Sequence, residues 1–352
     1  MAFLTFNNVG IKAISACVPK NTIVNSEYTE HFKVEDVAEI VEKTGIKERR
    51  FAPDGMCASD LCFAAAEKLI ADNEIDKSEI DLLIFISQTP DYRMPATSIL
   101  LQERLKLPKT TMAFDINLGC SGFVYGLSVI YSLMERSNFR RALLLDGETR
   151  SRVYHPKDRK TAFLFGDGGI AALIERGEKY EKSTFSLGSD GSKSSLISMK
   201  AGGYRIPTTK DTLKERVVDE YGNISTDDHG RMDGGEVFNF VLKEIPGNVK
   251  GILKQSNIDM IEIDFFVFHQ ANQFMNGYLQ KKFKIEDAKF PTSIGKFGNT
   301  SSVSIPLTIV SELENKLKGS NKLLLCGFGV GMSWASCIIK TDDLKISELI
   351  EI

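Results

Sequence analysis

Apolar residues are distributed along this chain in two kinds of run. Short unbroken ones, DLLIFIS at 81–87, ALLLDG at 142–147, DFFVFH at 264–269 and KLLLCG at 322–327, predict strands. Longer stretches with helical spacing, at 60–73, 119–136, 237–256 and 298–315, predict helices, the third bent near Pro246. Strands alternating with amphipathic helices predict an α/β fold.

The pattern also repeats. Ile75–Phe85 recurs as Ile258–Phe268, 183 positions on, with six identities in eleven. ALLLDG and KLLLCG are 180 apart, and Ser132 and Glu135 recur 179 on as Ser311 and Glu314. Offsets this even predict an internal duplication, against the alternative that helix–strand units merely share composition. We expect two halves, 1–178 and 179–352, with an irregular loop or cap around 188–235, where Gly, Ser, Lys and Asp accumulate without periodicity. Under the repeat Cys120 corresponds to Asn299. Two different polar residues at equivalent positions are what a shared central site would show.

Composition narrows the function classes. With 42% hydrophobic and 26% charged residues the chain can bury a sizeable core. Its 44 Lys and Arg against 47 Asp and Glu leave a net charge of −3, without the basic excess of a nucleic-acid binder. No apolar run reaches a membrane-spanning length, and Met1–Gly10 does not read as a secretory signal. Six cysteines without metal-type pairs predict reduced thiols in the cytoplasm, and four histidines without ligand spacing predict no metal site.

Cys120, flanked by Gly119 and Gly122, follows a β-like run and opens an apolar helix. The positive end of a helix favours a thiolate, although a buried cysteine in a strand-to-helix turn fits the same position. His269 closes the strand FFVF, where open α/β sheets gather ligands, or else it is a satisfied core histidine. His31, His155 and His229 stand in polar contexts and read as surface residues. Asn299 suits either a site or a helix N-cap. GFGVG at 327–331 is followed by a strand, which excludes a dinucleotide loop and predicts a turn with exposed amides. FGDGG at 165–169 predicts a turn between strands.

Taken together, GCSGF at 119–123, FGDGG at 165–169, HQAN at 269–272, GNTSS at 298–302 and GFGVGMSW at 327–334 occur in one order. With TGIKERR at 44–50 and MDGGEVF at 232–238, the chain resembles the β-ketoacyl-acyl carrier protein synthase III family from about residue 10 to 340. The resemblance implies a thiolase-like fold, internally duplicated in five αβαβα layers, as a homodimer without cofactor or metal.

It further implies that Cys120 takes an acyl group from acyl-CoA or acyl carrier protein. Decarboxylative condensation with malonyl-acyl carrier protein would follow, His269 and Asn299 holding the enolate, and the amides of Cys120 and of Gly329–Val330 the oxyanion. The alternative on the same scaffold is an acyltransferase serving an oxygen or nitrogen acceptor. By the same resemblance Lys43, Arg159, Asn272, Lys281 and Lys282 would meet CoA or the carrier protein. Met94 takes the place of a Phe that reaches into the partner's acyl tunnel. Departures point to a specialised paralogue. Glu39 stands where the family carries a CoA-stacking Trp, and Phe274 where it carries an Arg.

Overall fold

The computed structural model describes residues 2–352 and contains two large sheets. The first runs, in spatial order, Val9–Val18, Asp167–Arg176, Arg141–Thr149, Ile80–Ile86 and Met112–Ile116. The second runs Ala2–Phe6, Ser183–Ser189, Ser333–Asp342, Ser320–Gly329 and Phe265–Phe268. From Val9–Val18 the first sheet pairs antiparallel, antiparallel, then parallel, and from Ser183–Ser189 the second does the same. The repeat read in the sequence is therefore a repeat of topology.

Alternation within the strands shows why their apolar runs are unbroken. Leu82, Ile84 and Ile86 enter a core shared by both sheets, while Leu83 and Phe85 enter a second core on the opposite face. Leu323 and Leu325 likewise face the shared core, and Leu324, Cys326 and Phe328 face a third. A strand covered on both sides has no polar face to alternate with. Helices Gly122–Arg136 and Ser304–Leu313 fill the shared core between the sheets. Ala58–Asp72 covers the outside of the first sheet, and Gly234–Ser256 with Gln273–Phe283 the outside of the second. This is the five-layered, internally duplicated α/β arrangement. Among the described residues no helix is long and apolar enough to cross a membrane.

The ends of the chain cross over. Ala2–Phe6 pairs with Ser183–Ser189 in the second sheet, while Lys345–Ile346 and Ile350–Glu351 pair with Val9–Val18 in the first. The stretch 188–235 carries two small antiparallel strand pairs, Ile197–Met199 with Gly230–Met232 and Arg216–Val217 with Ile224–Ser225.

Three local expectations change. The helix expected over 298–315 is a 3₁₀ turn, Ser301–Val303, running into Ser304–Leu313, because Ser301 adopts φ 58°. FGDGG is the entry of a strand beginning at Asp167, whose buried carboxylate accepts from the amides of Ala52 (2.7 Å) and Ser151 (2.8 Å). His155 is not at the surface but buried, edge-on to His229 at 4.8 Å between ring centres.

Gly298 illustrates how tightly these loops meet. Its φ of 65° is one that L side chains avoid, and an added Cβ would lie 2.7 Å from the Leu164 carbonyl oxygen. Gly298→Ala is expected to lower stability by roughly 1–3 kcal/mol, seen as a lower urea midpoint.

Candidate active site

Both parallel strand pairs end at the same place. The loop after Met112–Ile116 carries Cys120 just ahead of helix Gly122–Arg136, and Phe265–Phe268 delivers His269 at its carboxyl end. Cys120, His269 and Asn299 line one cavity of about 40 Å³, together with Arg150, Phe328, Gly329 and Val330. Glycines make the approach possible. A Cβ on Gly327 would stand 2.6 Å from the Cys120 carbonyl oxygen, and one on Gly329 would stand 2.7 Å from the Cys120 sulfur. The backbone of the GFGVG turn thus lies directly against the thiol.

His269 is held by one ring nitrogen. Its Nδ1 is 2.7 Å from the Ser304 hydroxyl, which also accepts from the Gln270 amide at 3.2 Å. Donation of the hydroxyl hydrogen into Nδ1 would place the imidazole proton on Nε2. With Nδ1 occupied, Nε2 is the nitrogen left to act on sulfur or substrate. Asn299 is held similarly. Its Oδ1 accepts from the Ser301 amide at 2.9 Å, so the amide nitrogen, 3.4 Å from the Ala271 carbonyl, remains as the donor. It is not the helix cap, a place taken by Thr300 before the 3₁₀ turn.

The six cysteines differ sharply in acidity. Burial pushes Cys17 and Cys326 up to about 12 and raises Cys57, Cys62 and Cys337 as well. Burial opposes the thiolate of Cys120 too. There the charge and hydrogen bonding of His269, the Arg150 guanidinium and the Ser301 hydroxyl outweigh it and bring the thiol down to about 7. The Ser301 hydroxyl is 3.9 Å from the sulfur. Since the thiolate is the reactive form, alkylation of Cys120 by iodoacetamide should reach half its maximal rate near pH 7. An unperturbed thiol would do so at about 8.5. The check is site-resolved mass spectrometry across pH 5–10, with the other five cysteines staying slow.

The remaining expected residues lie outside this cavity, with one exception. Asn272 lines it, while its Oδ1 caps helix Gln273–Phe283 by accepting from the Met275 amide at 2.8 Å. Lys43 and Arg159 sit on a common surface patch, each beside a carboxylate: Lys43 on Glu39, and Arg159 3.5 Å from Asp36. Lys281 and Lys282 occupy the last turn of Gln273–Phe283, Lys281 on a groove of about 950 Å³ shared with Phe274 and Lys296. Met94 is 75% exposed and lies outside the Cys120 cavity.

Sequence reasoning missed Arg150, Ser301, Ser304 and Glu148. The first lies in the polar run DGETRSR, which resembles a solvated loop, and the two serines belong to GNTSSVS without any distinguishing neighbour. Only the fold turns them inward.

Known proteins share this chain's sequence and fold. Residues 114–191 match the family model for 3-oxoacyl-(acyl-carrier-protein) synthase III, and 253–341 match the model for its C-terminal part. A β-ketoacyl-(acyl-carrier-protein) synthase III of Fusobacterium nucleatum is 33% identical over 338 residues, 95% of this chain and 98% of its own. One from Clostridium tetani is 36% identical over 304 residues, 86% and 89% of the two chains. The crystal structure of a 3-oxoacyl-(acyl-carrier protein) synthase from Burkholderia xenovorans LB400 superposes with a TM-score of 0.94, at 38% identity over 100% of this chain and 99% of that one. With its duplicated five-layered fold and its Cys-His-Asn cavity, the chain belongs to the 3-oxoacyl-(acyl-carrier-protein) synthase III family.

Proposed function

We propose that the protein is a condensing enzyme that joins an acyl group to malonyl-acyl carrier protein with loss of carbon dioxide. The observation that carries the reading is the meeting of Cys120, from one half of the repeat, with His269 and Asn299 from the other, in one cavity. The Cys120 thiolate attacks the thioester carbonyl of the acyl donor, forming a new C–S bond. Negative charge collects on the carbonyl oxygen, held by the amides of Cys120 and of the Gly329–Val330 turn. Collapse expels the donor thiolate, which takes up a proton, and leaves acyl-Cys120.

Malonyl-acyl carrier protein then occupies the same cavity. Its carboxyl C–C bond breaks, carbon dioxide leaves, and the electron pair becomes an enolate whose oxygen is held by His269 Nε2 and the Asn299 amide. The enolate carbon attacks acyl-Cys120, a C–C bond forms, and the cysteine thiolate is expelled with the β-ketoacyl product on the carrier. No cofactor enters this sequence.

Lys281 and Lys282 are proposed as a dock for the acidic carrier protein, with Asn272 facing its pantetheine arm. Lys43 and Arg159 would contact a CoA donor. Their carboxylate neighbours weaken that role and favour a carrier-protein donor. Met94 is proposed to reach the acyl tunnel of the second subunit of a cytoplasmic homodimer.

The test is a two-step one. The protein is incubated with a panel of acyl carrier proteins and acyl-CoAs, its intact mass is read, and the labelled protein is chased with malonyl-acyl carrier protein. An adduct on Cys120 that disappears with release of carbon dioxide and formation of a β-ketoacyl carrier supports condensation. An adduct that leaves only onto an alcohol or amine would make the protein a plain acyltransferase.

A further inference from the structure

Arg150 helps to acidify Cys120, but that role leaves part of its guanidinium unused. It is 6% exposed and lines the Cys120 cavity, yet among the described residues no carboxylate lies within ion-pairing distance of its guanidinium. One terminal nitrogen donates to the Tyr154 hydroxyl at 2.9 Å, and the other reaches the Gln88 amide oxygen at 3.4 Å. Its Nε is buried with no partner. The plane of the group is supported by Tyr154 and Phe165, whose ring centres lie 5.4 and 5.5 Å from its central carbon. The buried Glu148 is close enough to act on it through charge. That carboxylate, however, spends its oxygens on the Gln88 amide (3.2 Å) and the Thr89 hydroxyl (2.9 Å). A buried cation with an unfilled donor is costly unless something completes it.

The space beside Arg150 holds further polar groups in an apolar lining. A second cavity, of about 200 Å³, shares Arg150, Tyr154, Ile197 and Val330 with the Cys120 cavity, and adds Gln88, Asn117 and Ser198. An acyl chain bound to the sulfur and directed past Arg150 would meet the guanidinium with Gln88, Asn117 and Ser198, set among the apolar Val153, Ile197, Met199 and Val330.

We propose that Arg150 selects an acyl group ending in a carboxylate, so that the donor is the half-thioester of a short dicarboxylic acid. The inference deepens the condensing-enzyme reading and rests on it. The malonyl carboxylate is a poor candidate for the same arginine. Pairing it would stabilise the ground state and oppose the departure of carbon dioxide. The covalent step is unchanged: Cys120 sulfur gains the acyl carbon, the donor C–S bond breaks, and the donor thiolate leaves and is protonated. The distal carboxylate pairs with Arg150 without reacting.

The experiment compares succinyl and butyryl N-acetylcysteamine thioesters, equal in chain length and free of any CoA or carrier contact, by the rate of mass gain at Cys120. Succinyl is expected to load faster by roughly 10–100-fold, as a site built around a polar group rejects the analogue lacking it. Arg150→Leu should bring the ratio to about one or reverse it, and Arg150→Lys should keep it above one. An arginine that only acidifies Cys120 would slow both donors alike in Arg150→Leu and leave the ratio untouched. Equal or faster butyryl loading by the unaltered protein overturns the proposal, whether or not the variants fold. Loading by neither thioester, with Cys120 still alkylated by iodoacetamide, overturns the acyl-enzyme reading itself and this inference with it.

Discussion

Cys120→Ala is expected to abolish carbon–carbon bond formation, by roughly 10⁴-fold or more, while leaving decarboxylation of malonyl-acyl carrier protein in place. The two effects separate because they use different atoms. The acyl-enzyme needs the sulfur, and no other thiol can replace it. Cys17 and Cys326 are buried with pKa values near 12, and none of the remaining cysteines lines the cavity. In the proposed mechanism loss of carbon dioxide needs only His269 Nε2 and the Asn299 amide, whose anchors, Ser304 and the Ser301 amide, do not involve Cys120. The variant should therefore release carbon dioxide from malonyl-carrier and yield acetyl-carrier, with no β-ketoacyl product. Both products are read by mass. A variant that still condenses would remove Cys120 from the mechanism.

His269→Ala is expected to do the reverse. Without its Nε2 donor the enolate oxygen keeps one of two partners, and decarboxylation should fall by roughly 10²–10³-fold. Loading of Cys120 should survive, displaced to higher pH. His269 is the leading contributor to the acidity of that thiol, opposed by burial, while Arg150 and Ser301 remain in place. The thiolate fraction at neutral pH then falls, and it recovers as pH rises through the new, higher pKa. Acyl-adduct formation in the variant should accordingly be slow at pH 7 and approach the unaltered rate at roughly pH 9. If His269→Ala condenses normally, the assigned roles are wrong.

What could be read from the sequence follows a physical division. Strands such as Ile80–Ile86 and Ser320–Gly329 are covered on both faces, so they appear as unbroken apolar runs whose repeat survives in residue identity. His269 stands out because it closes such a run at the end of a strand, where open α/β sheets gather ligands, and Cys120 because it stands between a β-like run and an apolar helix, flanked by glycines. Arg150 carries no such mark. In DGETRSR a charged residue among polar ones is what a solvated loop looks like, and its burial depends on Tyr154 and Phe165, four and fifteen residues away. His155 was hidden in the same way, its burial resting on a contact with His229 in the distant cap. The left-handed Ser301, which reshapes the start of the helix and frees the Asn299 amide, depends on a backbone angle that no residue type there announces.

The crossing of the chain ends also bears on how such an enzyme can be taken apart. Each sheet borrows an edge from the far side of the molecule: Ala2–Phe6 for one, Lys345–Ile346 and Ile350–Glu351 for the other. Severing the backbone near residue 178 and separating the pieces would strip both sheets of their outer neighbours. The apolar strands Val9–Val18 and Ser183–Ser189 would then face water with unpaired amides, an invitation to aggregate. The two halves of the repeat are consequently not exchangeable cassettes. A chimera that takes one half from a relative must bring that relative's opposite terminus with it.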